Sequence, residues 1–138
     1  MLKHHNDTPL VPKRTVVLGA AGFIGRTLVN RLSTAGVNLV SLAKQDLDLE
    51  TPAAATELTE LLHTDDTLVF ISAKAPVRDV SMLAANLRMA ETVVTAVSRQ
   101  AVAHVIYVSS DAVYHDSTEP LTEDSPTAPG SLHGVMHL

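Results

Sequence analysis

The sequence predicts an α/β protein, a parallel sheet wound with helices on both faces, and three observations carry that prediction. A β-branched and aliphatic run, Val16-Val17-Leu18, stops at Gly19, and two further glycines follow at Gly22 and Gly25. Along the rest of the chain, apolar runs of strand length alternate with stretches of helical periodicity, the order that yields parallel strands joined by helical crossovers. Composition agrees: 138 residues suit one domain with a core of its own, and 46% hydrophobic against 18% charged residues is a globular balance.

Residues 1–14 are polar and proline-punctuated and read as a flexible lead-in, without the apolar core of a signal peptide. From Thr15 the first strand runs into the glycine turn. Ile24, Leu28, Leu32 and Ala35 then recur at about one helical turn, with Arg26, Asn30 and Arg31 off that stripe, so a helix opens at the third glycine. Gly36 is placed to end it, and Val37 to Leu42 alternates as a second strand. Thr51-Pro52 predicts the start of the next helix, a hydroxyl N-cap followed by proline at the first helical position, with Leu58, Leu61 and Leu62 as its apolar side.

Asp65-Asp66 leads into Thr67-Leu68-Val69-Phe70-Ile71, a run apolar enough to be covered on both faces. It ends in Ser72-Ala73-Lys74-Ala75-Pro76, where the small Ala73 lets a cofactor approach the backbone. A long helix is expected from Asp79 to Arg99, with Met82, Met89, Val93 and Val97 on one face. Asn86 falls on that face too, so either its amide bridges neighbouring backbone groups or the face is less buried than its periodicity suggests. Val105 to Val108 is the last clear strand. His115 to Gly130 carries Pro120, Pro126 and Pro129 and reads as a loop, and Ser131 to Leu138 reads as the opening of a helix. The count expected is about five strands, with residues 15–138 as one truncated domain.

Charge and composition exclude several classes. A net charge of −5 with no basic face argues against a nucleic-acid partner. No stretch reads as the roughly 18 apolar residues of a membrane span. Cysteine is absent, which removes disulfides, thiolate nucleophiles and cysteine-ligated zinc, and a cytoplasmic setting is the default expectation.

The glycine turn is where chemistry is legible. Glycines between a strand and a helix let the backbone bend sharply and let a pyrophosphate lie on bare amides at the helix N-terminus, where the macrodipole favours an anion. That context is the one a Rossmann-type dinucleotide site requires. The second strand ends in Ala43-Lys44, a cation where the 2′-phosphate of NADP needs one, rather than the carboxylate that receives the 2′-hydroxyl of NAD. NADP is therefore the expected cofactor, with NAD left open.

From Thr15 to the C-terminus the sequence resembles the extended short-chain dehydrogenase/reductase superfamily, the NAD(P)-dependent sugar epimerases, dehydratases and reductases. Gly19-Ala-Ala-Gly22-Phe23-Ile24-Gly25 is similar to that family's cofactor loop, including its Phe-Ile pair. Asp48-Leu49 is similar to its adenine-contacting pair, which implies that the Asp48 carboxylate meets the exocyclic amine. Asn86 falls where the family keeps a structural Asn. Ser109-Ser110-Asp111-Ala112-Val113-Tyr114 resembles its Ser-Ser-x-x-Val-Tyr segment, which implies a catalytic hydroxyl at Ser110, and Thr122-Glu123-Asp124 matches its following loop.

The resemblance also implies a Tyr-x-x-x-Lys pair in which the phenol moves a proton and the lysine lowers its pKa while binding ribose. The matching slot reads His133-Gly-Val-Met-His137, so both residues are replaced. An imidazole at His133 can accept a proton near neutrality, but His137 cannot supply a lysine's lasting charge. Two histidines at i and i+4 also share a helix face, yet no third metal ligand is evident, and no metal is expected. The family continues well past this length into a substrate-binding part.

The reading is thus the NAD(P)-binding portion of an epimerase/dehydratase-type oxidoreductase on a nucleotide-sugar or related carbonyl or hydroxyl substrate, impaired or inactive as it stands. A homodimer in a full-length form is compatible with the resemblance. The alternative is a non-catalytic NADP-sensing or interaction module on the same fold.

Overall fold

The computed structural model describes residues 11–138, so most of the expected lead-in lies outside the described residues. Strands β1 (Arg14–Leu18), β2 (Leu39–Leu42), β3 (Asp66–Phe70) and β4 (His104–Tyr107) form one parallel sheet in the order β2-β1-β3-β4. The helices are α1 (Phe23–Thr34), α2 (Ala54–Leu61), α3 (Val80–Arg99) and α4 (Leu132–His137), with a 3₁₀ turn at Asp111–Val113. The α/β class is as expected. The strand count is four among the described residues, not about five: the sheet consists of the four runs that read individually as strands, and the proline-bearing stretch after β4 is the loop expected there.

Strand order explains the layering. Val16 is paired with Val40 on one side and Leu68 on the other, so β1 is central. The chain steps from β1 to β2 in one direction and from β2 through β3 to β4 in the other. Right-handed crossovers then put α1 on one face and α2 with α3 on the opposite one. The period-two alternation agrees: Val16, Leu18, Leu68 and Phe70 join Leu58 of α2 and Met89, Val93 and Ala96 of α3 in one core cluster, and Val17 and Val69 are buried outside it. The direction reverses between β1 and β3. Their carboxyl ends therefore flank the crevice where ligands bind in such sheets.

One expected boundary and one expected face differ. The second helix starts at Ala54 rather than at Thr51-Pro52, and its N-cap is Ala53. The Thr51 hydroxyl turns back to donate to the Asp48 carbonyl at 3.0 Å, so it closes the preceding turn instead of capping the helix. In α1 only Gly25 is buried, and the stripe expected to face the core is half-buried or exposed, Ile24 at 53%. No second helix shares that face of the sheet with α1 among the described residues, so its stripe has little to pack against. Its end is as expected: Gly36 has φ +73°, its N–H donates to Ser33 and the Val37 N–H to Leu32, a Schellman closure.

Helix α3 is capped by Asp79, whose carboxylate accepts from the Met82 N–H at 2.8 Å. Asn86 does bridge backbone groups: it accepts from the Lys74 N–H and donates to the carbonyls of Lys74 and Met82. That ties the loop after β3 to α3. By length and composition α3, with a mean hydropathy of 1.2 over its window, reaches the threshold for crossing a membrane, contrary to the expectation that no segment does. Packing accounts for part of that composition, since Ala85, Met89, Val93 and Ala96 are buried against the rest of the domain, while Val80, Leu87 and Val94 are exposed.

At the amino ends of the strands lies a feature outside the expectations. Arg14, assigned by sequence to the lead-in, is the first residue of β1, and its guanidinium grips the fully buried Asp66 through two bonds of 2.6 Å. Asp66 also accepts from the His63 N–H at 2.7 Å. Burial by itself would raise the Asp66 carboxyl, but the Arg14 and His63 bonds outweigh it and hold the group below its ordinary value. Its acceptor capacity is used, so His63, Asp65 and Asp66, though close enough together for a cation, have their buried carboxylate already committed.

Candidate dinucleotide site

A cavity of about 660 Å³ opens at the carboxyl ends of the strands. Three walls form it: the β1–α1 turn, the segment after β2, and the loops after β3 and β4 with α4. Gly19, Gly22, Phe23, Ile24, Lys44, Asp48, Leu49, Ala73, Ser110, His133 and His137 all reach it. Gly25 does not; it lies buried beneath the turn.

The turn is shaped by backbone contacts. Gly19 has φ +93°, and a Cβ there would lie 2.8 Å from the Ser72 nitrogen, so β1 and β3 leave no room for a side chain at the reversal point. A Cβ on Gly25 would run into the Gly19 carbonyl oxygen. Gly22 is the N-cap of α1, no side chain caps that terminus, and the first turn has no acidic residue. The first-turn amides are thus directed at the cavity with the positive end of the helix dipole behind them, a cradle matched to a pyrophosphate. Phe23 and Ile24 follow at 85% and 53% exposure, presenting apolar surface at the rim.

The wall after β2 is a charge network that the sequence did not reveal. Glu50 lies 2.6 Å from Lys74, 3.6 Å from Lys44 and 3.8 Å from Arg88, and Lys44 is also 3.4 Å from Asp48. Asp48 accepts from the Glu50 N–H, and this bond with the Lys44 charge holds its carboxyl below the ordinary value. The Lys74 hydrogen bond does the same for Glu50, and the Asp48 charge raises Lys44. A carboxylate two residues beyond the expected adenine contact was the available signal, and only its position between three cations gives it meaning.

At the far wall Ser110 caps the 3₁₀ turn, accepting from the Ala112 N–H at 3.2 Å and donating to Asp111 at 3.1 Å. Helix α4 is capped by Ser131 and set against that turn by Gly134, where a Cβ would strike the Ala112 carbonyl. This places His133 and His137 beside β4, ring centroids 4.9 Å apart and edge to face. The Tyr107 hydroxyl meets His137 Nδ1 at 2.8 Å, and Ser109 donates to the His137 carbonyl at 3.3 Å. Burial, then the neighbouring His133, lowers the His137 pKa. The His133 Nδ1 is buried without a partner. No local pattern in the sequence marks Tyr107, because its partner His137 lies 30 positions further along the chain.

With the glycine cradle and the two histidines in one cavity, comparison with known proteins is decisive. Residues 15–138 match the NAD dependent epimerase/dehydratase family. The chain belongs to that family. Over 128 residues it is 34% identical to a probable dTDP-4,6-dihydroxy-2-methyloxan-3-one 4-ketoreductase of Streptomyces antibioticus, a match covering 88% of this chain and 43% of the relative. Among solved structures, MoeE5 in complex with UDP-glucose and NAD is 25% identical with a TM-score of 0.74, over 90% of this chain and 45% of that one. A short-chain dehydrogenase/reductase superfamily protein from Agrobacterium tumefaciens with bound NAD shares the fold, at 23% identity and a TM-score of 0.74 over 90% of this chain and 42% of the other. This epimerase/dehydratase-family chain thus spans less than half the length of these relatives.

Proposed function

We propose that the chain binds NADP, and NAD less tightly, as the cofactor-binding portion of an oxidoreductase acting on a nucleotide-sugar or a related carbonyl or hydroxyl compound. The observation that carries the reading is the uncapped start of α1 behind a turn in which neither Gly19 nor Gly25 has room for a side chain and a Cβ on Gly22 would press the Gly19 carbonyl at 3.3 Å. The first-turn amides hold the pyrophosphate, Gly19 and Gly22 let it approach, and Gly25 keeps the turn against the helix. Asp48 and Leu49 meet the adenine end, with Phe23 and Ile24 at the rim and Ala73 leaving room beside the backbone. Lys44 favours NADP. It is well exposed, and its contacts at 3.4 and 3.6 Å are surface ion pairs, which a 2′-phosphate displaces at little cost.

When bound, the dinucleotide supplies hydride transfer. The chain's own residues at that end are Ser110, His133 and His137. Ser110 offers a hydroxyl already directed by its turn, and His133 offers an imidazole ring at the cavity wall. No residue at these two helix positions carries the fixed charge of a lysine, so turnover is impaired and a small-molecule substrate is handled weakly if at all. A non-catalytic NADP-sensing or interaction module is the second reading, and the replaced pair favours it. A cytoplasmic setting, the absence of nucleic-acid and membrane partners, and a homodimer in a longer form belong to the same proposal.

Calorimetric titration with NADPH and NADH tests the binding: micromolar or weaker affinity with NADPH ahead is expected. No heat with either nucleotide on folded protein overturns it. Binding without oxidation or reduction across a nucleotide-sugar panel selects the sensing reading.

A further inference from the structure

We propose that Tyr107 locks His137 in the neutral tautomer whose Nε2–H donates into the cavity, which makes His137 a hydrogen-bond donor to an acceptor oxygen of the bound dinucleotide and Tyr107 its positioning residue. The inference rests on the dinucleotide reading for its ligand, and on this chain's own geometry for the tautomer.

The 2.8 Å contact between the Tyr107 hydroxyl and His137 Nδ1 admits two arrangements. Either the phenol donates to a bare Nδ1, or a protonated Nδ1 donates to the phenol oxygen. The phenol is the stronger donor and a bare imidazole nitrogen the stronger acceptor, so the first wins when the ring is neutral. Neutrality is favoured by the surroundings: burial and the His133 ring both disfavour a second positive charge there, and burial keeps the Tyr107 phenol protonated. The competing acceptor for the Tyr107 proton, Met136 Sδ, lies at 4.0 Å and is a weak one.

With Nδ1 taken, the ring's remaining proton sits on Nε2, which has no hydrogen-bond partner among the described residues. His137 lines the cavity. The ring is held by the Tyr107 hydroxyl and the edge of His133, and the His137 backbone by its carbonyl, which accepts from Ser109. Tyr107 is in turn packed on Phe70 with centroids 5.5 Å apart, so removing its hydroxyl leaves its ring in place. A neutral N–H donor differs from a lysine: it can orient an oxygen but adds no net charge.

Long-range ¹⁵N–¹H NMR of the histidine rings reads the tautomer directly. In the wild-type chain at neutral pH His137 is expected to carry its proton on Nε2, and in Tyr107→Phe to average between tautomers with the fold unchanged. A wild-type His137 protonated on Nδ1, or a tautomer unmoved by Tyr107→Phe, overturns the lock.

The donor role is read from NADP affinity. His137→Gln, whose amide nitrogen falls near ring Nε2, keeps it within about twofold, whereas His137→Asn and Tyr107→Phe each weaken it about fivefold, the equivalent of one hydrogen bond. Equal affinities for all three variants overturn the donor role while leaving the binding site intact. A wild-type chain that binds no dinucleotide overturns the binding reading and the donor role together, and the NMR result still decides the lock.

Discussion

The two ends of the cavity are built by different means. At the glycine end the shape comes from backbone held by buried strands: Val16, Val17, Leu18 and Leu68 are no more than 2% exposed, and the turn above them leaves no space for a side chain at Gly19 or Gly25. At the histidine end the shape comes from side chains. Val105, Ile106 and Tyr107 of β4 are 41–45% exposed, α4 has six residues, and its rings are placed by hydroxyl bonds and one close glycine contact. A backbone cradle is specified by the core and tolerates no side chain at the positions where backbone meets backbone, here Gly19 and Gly25. A side-chain arrangement is specified by individual polar contacts and can be altered one contact at a time. On the proposed reading the pyrophosphate loop is kept while His133 and His137 stand where the resemblance implies a Tyr-x-x-x-Lys pair, which is the outcome this difference allows.

The comparison can be broken from below. Asp66→Asn leaves Arg14 facing a neutral partner at the base of the sheet and should cost about 3–5 kcal/mol of stability, the usual loss when one member of a buried pair is removed. A shifted urea midpoint with unchanged NADP affinity of the folded fraction would confirm that the scaffold is stressed without touching the cavity. Because the Asp66 carboxyl is held below its ordinary value, its contribution is complete above the unfolded value near 3.8 and is lost as pH falls through the lower folded value. The variant should lack that part of the acid limb.

Next in size is Gly25→Ala. Its Cβ meets the Gly19 carbonyl, and relief requires moving α1 away from the turn, at about 3 kcal/mol. Dinucleotide affinity, measured by calorimetry, should fall by about a hundredfold. Retained affinity would show that the cradle is less rigid than the contrast holds.

Lys44→Ala sharpens the comparison on the adenine side. It should weaken NADPH about threefold to fivefold and leave NADH unchanged, the scale of an exposed charge contact. Equal effects on the two would remove the basis for preferring NADP. The smallest effect belongs to the histidine end. His137 titrates at a lower pH folded than its unfolded value of 6.5, so the unfolded chain takes up the proton first. The stability it supports is present above 6.5 and declines as pH falls through that value. Amide exchange in α4 should therefore quicken on mild acidification before exchange in α3 does.

Much of the molecule was legible in the sequence, and the legible parts share a cause. Strand–helix alternation, the glycine turn and the Schellman end at Gly36 are local, governed by periodicity and by backbone conformations that few residues adopt. Asn86 was legible too, because an amide on an apolar helix face must find backbone partners. What the tertiary structure alone decided lies between residues far apart in the chain. Arg14 meets Asp66 across 52 positions, and Tyr107 meets His137 across 30. Glu50 gathers cations from three segments, and among the described residues the sheet has four strands with β4 exposed. These depend on which strand lies beside which and on the hand of each crossover. No local pattern encodes the meeting of two side chains that the chain brings together only after it has folded.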